Sequence, residues 1–156
     1  MQPSIPLVQR RSITQLAPLR LDSRVCQAEL EWVLLLDDDL VTARSVSRWV
    51  KRAVGMETRA ARTVHQAVCW LSSMPSPVAI VTDFDLQMGE TGASALAGFR
   101  ATGQVAPAIV LTGAPTRARS ALDETGLTDI AVLSKTQFQQ ELQQWLIGQR
   151  EWKRSA

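Results

Sequence analysis

The chain is poor in the residues that build metal knuckles, disulfide frameworks and membrane spans. It has two cysteines, Cys26 and Cys69, and a single histidine, His65. With no CxxC pair and no His cluster, neither a structural zinc site nor a disulfide framework is expected. Such cysteine usage fits a reducing cytoplasm. No apolar stretch approaches the roughly 18 residues that a membrane span needs. Pro3, Pro6, Arg10 and Arg11 break up the start, so it does not read as a signal-peptide core. Charge of one sign is also scarce. The balance is 17 − 15 = +2, and no like-charge block is long enough to suggest an interaction tail. Nucleic-acid binding and membrane association therefore have no support in the composition.

What is present is a pattern of short apolar runs alternating with helical periodicity. The 156 residues favour one domain. Residues 1–31 carry three prolines and no sustained period, and read as an N-terminal extension. Order starts at Trp32. "WVLLL" and "VAIVT" (78–82), "AIVLT" (108–112) and "IAVLS" (130–134) are bounded apolar runs. Strands covered on both faces look like this. "METRAA" is a weaker strand candidate.

Between the strands, apolar residues recur at helical spacing. Ala43, Val46, Trp49, Val50, Ala53 and Val54 mark a first helix. Val64, Ala67, Val68 and Leu71 mark a second, stopped by "SSMPSP". A third spans about Gly92 to Ala101, and a short fourth ends near Gly126. Phe138, Leu142, Trp145 and Leu146 define a closing helix. Alternation of this kind predicts an α/β fold, a doubly wound five-stranded parallel sheet with helices on both faces. The domain is placed at 32–148, and the polar segment 149–156 reads as a C-terminal tail that frays.

The first apolar run stops at three aspartates, Asp37, Asp38 and Asp39. In open α/β sheets ligands bind beyond the carboxyl ends of the strands. At those ends stand the three aspartates, then Asp83, then Thr112, then Ser134 and Lys135. If the topology holds, they meet at one rim. Gathered carboxylates repel unless positive charge sits among them. Mg²⁺ suits such a set, since it takes hard oxygen ligands and is often held by one or two carboxylates. Lys135 adds a fixed positive charge and Thr112 a hydroxyl donor. Together they can stabilise a phosphoryl group on an aspartate. Asp83, flush with its strand end, is the nucleophile this reading selects. Asp85, two residues on, offers its backbone carbonyl to the metal.

These residues resemble the receiver domain of two-component response regulators. The resemblance rests on "VLLLDDD", "VTDFDLQMGETG", "IVLTG" and "AVLSK", separated by 83 − 38 = 45, 112 − 83 = 29 and 135 − 112 = 23 residues. It covers about residues 32–148. It implies a flavodoxin-like fold of five parallel strands and five helices. It also implies phosphoryl transfer from a partner histidine kinase or phosphotransfer protein, with Mg²⁺ as cofactor and later loss of the phosphoryl group to water. By position, Asp37 and Asp38 look like the metal-binding pair, Asp83 the phosphoacceptor, Thr112 the switch hydroxyl and Lys135 the phosphate-binding lysine. Asp39 looks like a helix-starting residue. The resemblance implies no conventional enzyme but self-catalysed phosphotransfer and autodephosphorylation in the cytoplasm. Its partners would be a downstream protein target, met through the face of the last two helices and last strand, and a second copy in a homodimer. The start at Met1 favours a stand-alone receiver over a piece of a hybrid kinase.

The chain departs from the family at three places. Val132 stands where an aromatic is usual three before the lysine, and tyrosine is absent throughout. Thr136 replaces the proline that follows the lysine, where a cis peptide would be expected. Gln87 stands where a proline often follows the acceptor segment. The Val132 and Thr136 departures motivate an alternative, a pseudo-receiver that keeps the fold and binds partners without phosphate. A second alternative is a haloacid-dehalogenase-type phosphatase, because "TDFDL" has the DxD form. The motif order opposes it: the acid cluster precedes DFD, and only Glu141 and Glu151 follow Lys135.

Smaller features have simpler readings. His65 has no evident partner, and Cys69 reads as a small buried residue. Trp49, Trp70 and Trp145 read as core or edge packing. Trp152 marks a contact surface. The Arg10–Arg11 pair reads as part of a solvated tail.

Overall fold

The structure, a computed structural model, describes residues 31–156. The expected extension, Cys26 and the Arg10–Arg11 pair lie outside the described residues. Five strands alternate with five helices: β1 (Trp32–Leu36), α1 (Leu40–Val54), β2 (Glu57–Ala61), α2 (Val64–Ser73), β3 (Ala79–Asp83), α3 (Gly92–Ala101), β4 (Ala108–Thr112), α4 (Pro115–Glu124), β5 (Ala131–Ser134) and α5 (Phe138–Ser155). The strands form one parallel sheet in the order β2-β1-β3-β4-β5. The predicted fold class is the observed one.

Strand geometry alternates side chains between two faces, and the core follows that alternation. Trp32, Leu34, Leu36, Ile80 and Val110 pack under α2, α3 and α4, against Ala67, Leu96, Phe99 and Leu122. Val33, Leu35, Val81, Ile109 and Leu111 pack under α1 and α5, against Val46, Val50, Leu142 and Leu146. Each Val or Leu so buried stabilises the fold by about 1.5–3 kcal/mol. The central strands β1, β3 and β4 are buried along their whole length. At the edges, β2 alternates between exposed and half-buried until it ends on the buried Ala61, and β5 is half-buried throughout.

Local signals place the helix starts. Asp39 caps α1, its Oδ1 accepting from the Val41 and Thr42 N–H groups at 2.8 and 3.3 Å. Gly55 ends α1 in the left-handed region at φ 71°. Thr91 and Ser94 form a capping box on α3.

The C-terminal segment corrects the expected fraying. Helix α5 runs on to Ser155. Glu31, just before β1, pairs with Arg150 at 3.0 Å and Arg154 at 2.6 Å. Lys153 donates to the Ser76 carbonyl at 2.7 Å. Partners distant in sequence thus hold the last turns. Cys69 also differs from expectation: its thiol is exposed, and its sulfur lies 3.7 Å from Nε2 of the exposed His65, which gives that histidine a neighbour the sequence does not show. Both sit on the outer side of α2, whose one buried residue is Ala67. Trp49 packs edge-on against Phe138, with centroids 5.5 Å apart, and Trp152 is exposed as expected.

Candidate functional site

The sheet order reverses between β1 and β3, since β2 lies on one side of β1 and β3 on the other. The carboxyl rim at that point is where ligands of such sheets bind. Asp37 and Asp38 follow β1 there, and Asp83 is the last residue of β3. The Asp37 N–H donates to the Ala61 carbonyl of β2 at 3.0 Å. This carries the strand pairing one residue past β1 and fixes where the aspartate enters the rim.

The carboxylates of Asp37, Asp38 and Asp83 converge, each offering an oxygen within 4.8 Å of the others. Asp37 and Asp83 are buried, Asp38 half-buried. Asp37 Oδ1 accepts from the Asp39 N–H at 2.9 Å, and Asp83 Oδ1 from the Phe84 N–H at 2.7 Å. Their second oxygens face one ammonium. Lys135 Nζ lies 2.8 Å from Asp83 Oδ2 and 3.7 Å from Asp37 Oδ2. The lysine backbone is anchored as well, its N–H donating to the Thr112 carbonyl at 3.0 Å. Among the described residues no peptide bond is cis, so Lys135–Thr136 is trans.

Electrostatics follow from this crowding. Burial pushes the Asp37 carboxyl up to about 6, against the Asp39 N–H and the Lys135 charge, which pull it down. The Asp83 and Asp38 charges push the same way as burial. Lys135 would be lowered by its burial, but its hydrogen bond to Asp83 and the Asp37 charge outweigh that and raise it. Asp39 stands apart. The N–H groups of Val41 and Thr42 hold its carboxyl low, and it serves the helix, as expected.

Of the other residues singled out in the sequence, Thr112 is buried on the neighbouring strand end. Its hydroxyl oxygen accepts the Ala114 N–H at 3.0 Å, which shapes the turn into α4. Asp85 lies off the cluster, its side chain exposed and ion-paired with Arg117. Its backbone pairs with Thr91 in an isolated bridge. The two hydrogen bonds flanking that bridge use the carbonyls of Glu90 and Phe84, at 3.1 and 2.8 Å. Asp85's own carbonyl is left out of them. Glu141 and Glu151, the acids after the lysine, are exposed on α5 and are not members of the cluster. Val132 is half-buried and lines a shallow groove with Pro115, Thr116 and Arg119 of α4.

Two residues of this rim carry no sequence signal for their part in it. A Cβ on Gly92, at the start of α3, would stand 2.3 Å from the Asp83 carbonyl oxygen. Only glycine lets α3 approach the acidic strand end so closely. Arg117 lies over the Phe84 ring at 4.9 Å and also binds Asp85.

Comparison with known proteins gives the fold. No protein-family model and no curated protein matches the chain. Solved structures do. The signal receiver domain of an HD domain-containing protein from Pseudomonas fluorescens Pf-5 is 22% identical, with a TM-score of 0.67, over 81% of this chain and 98% of that one. A response regulator receiver domain protein from Clostridium thermocellum is 19% identical, with a TM-score of 0.67, over 80% and 98%. A Francisella response regulator receiver domain is 23% identical, with a TM-score of 0.60, over 81% and 99%. The chain therefore has the receiver-domain fold over most of its length.

Proposed function

We propose that the domain is a phosphoacceptor of a two-component phosphorelay, taking a phosphoryl group onto Asp83 from a histidine kinase or phosphotransfer protein. The observation that carries this reading is the Lys135 ammonium bonded to Asp83 inside a cluster of three carboxylates at the switch-point rim. In the transfer, a carboxylate oxygen of Asp83 attacks the phosphorus of a donor phosphohistidine. An O–P bond forms and the N–P bond breaks, its electron pair staying on the imidazole nitrogen, which takes a proton from water. Return to the carboxylate is by water attacking phosphorus, with release of inorganic phosphate.

The residues present fit a divalent cation. Three hard carboxylates share one ammonium, and Asp37 is held up to about 6 in their midst. Asp37, Asp38 and Asp83, with the Asp85 carbonyl, would hold Mg²⁺. When bound, that ion supplies positive charge to the oxygens of the transferring group. Lys135 supplies a second, fixed charge and donates to a phosphoryl oxygen from its place beside Asp83. The Thr112 oxygen already accepts from Ala114, so its own proton is the part that turns to the phosphoryl group. The signal then passes to a downstream protein.

The test uses acetyl phosphate, whose P–O bond breaks with acetate as leaving group. With Mg²⁺, the wild-type protein acquires a hydroxylamine-sensitive phosphoryl group and Asp83→Asn does not. A wild-type protein that stays unlabelled favours the pseudo-receiver reading, which Val132 at the half-buried aromatic position motivates. Turnover of a generic phosphomonoester would favour a phosphatase. The exposed Glu141 and Glu151 on α5 give that reading no support.

A further inference from the structure

Arg117 has a double attachment that the phosphoacceptor reading does not use. It is the third residue of α4, and it reaches across to the two residues that follow Asp83. Its guanidinium lies over the ring of Phe84 and pairs with the carboxylate of Asp85. Phe84 is buried, and its N–H is the group that holds Asp83 Oδ1 at 2.7 Å. Arg117 is therefore seated on the residue that aims the acceptor.

An exposed ion pair alone holds weakly. The aromatic face adds a second restraint, because a guanidinium stacks on a ring through its charge and its plane. The need for the pair is visible in the charge count. Asp37, Asp38 and Asp83 already face the single ammonium of Lys135. Asp85, exposed two residues beyond the acceptor, would add another negative charge to the rim that an anionic phosphodonor must approach.

We infer that Arg117 neutralises Asp85 and so sets the rate at which anionic phosphodonors reach Asp83. It is a positioning residue, since it touches neither donor nor acceptor carboxylate. This deepens the phosphoacceptor reading and rests on it.

The experiment measures the rate of labelling by acetyl phosphate in the full chain with Mg²⁺, for the wild type, Arg117→Ala, Arg117→Lys and Arg117→Ala/Asp85→Asn. At low ionic strength Arg117→Ala labels about three- to tenfold more slowly. The deficit closes near 1 M salt, where screening acts within about 3 Å. Arg117→Lys, which keeps the charge, recovers most of the rate. The double variant recovers it as well, because the uncompensated acid is gone. Mg²⁺ affinity in Arg117→Ala is unchanged or tighter, whereas a distorted site would bind more weakly. The inference is overturned if wild type and Arg117→Ala label equally fast, or if Asp85→Asn fails to rescue. Absence of labelling in the wild type is a separate result that overturns the phosphoacceptor reading and this inference together.

Discussion

Lys135, one residue past β5, and Asp83, the last residue of β3, stand at strand ends that β4 separates, yet Nζ and Oδ2 are 2.8 Å apart. The contact crosses the rim of a neighbouring strand and also draws in Asp37. Removing the ammonium leaves the buried acids facing one another. Lys135→Ala is expected to lower stability by about 1–2 kcal/mol without Mg²⁺, toward the low end because the lysine is partly exposed. Labelling by acetyl phosphate is expected to fall on the order of a hundredfold. Denaturant unfolding and labelling kinetics on one preparation check both.

Asp37 predicts an unusual pH dependence. Its carboxyl stands near 6 in the folded chain against 3.8 for the ordinary group. Between those values the folded state binds the extra proton, so stability falls as pH rises through that window. Above it both states are ionised and the full penalty, of order 3 kcal/mol, stays. Without Mg²⁺, the thermal midpoint is expected to be lower at pH 7.5 than at pH 5. Asp37→Asn is expected to raise the midpoint at pH 7.5. Mg²⁺ is expected to stabilise the wild type above about pH 6 and to do little for the variant. Scanning calorimetry across pH, with and without Mg²⁺, reads all of this.

Gly92 and Gly98 lie on the same helix, α3, and make an internal control. A Cβ at Gly92 would meet the Asp83 carbonyl, whereas one at Gly98 meets nothing within 4 Å. Gly92→Ala is expected to cost about 1–3 kcal/mol by overpacking and to slow labelling. Gly98→Ala is expected to stabilise by about 0.5–1 kcal/mol through helix propensity. Equal effects of the two in denaturant unfolding would contradict the close approach.

The legible parts of this fold are those where burial writes itself into the sequence. β1, β3 and β4 are covered on both faces and appear as unbroken apolar runs. β2 is half-exposed at an edge, so "ETRAA" carries little pattern. The acidic rim was legible because strand ends of a parallel sheet point one way, which makes Asp37, Asp38, Asp83 and Lys135 neighbours once the topology is known. Contacts set by tertiary approach were not legible. Gly92 reads as an ordinary helix start, and the Arg117–Asp85 pair depends on how a loop and a helix meet. Helix α5 passes its expected end because Glu31, from the other end of the described chain, binds Arg150 and Arg154. Cys69 reads as buried beside Trp70, but α2 turns the tryptophan inward and leaves the thiol outside.

The most direct test asks which atom carries the phosphoryl group. Borohydride reduces an aspartyl phosphate to homoserine, and peptide mass spectrometry then locates the converted residue. After acetyl phosphate and Mg²⁺, the account predicts homoserine at position 83 and unchanged aspartate at positions 37, 38 and 85. Homoserine at any of those other positions, or none anywhere in the chain, would contradict it.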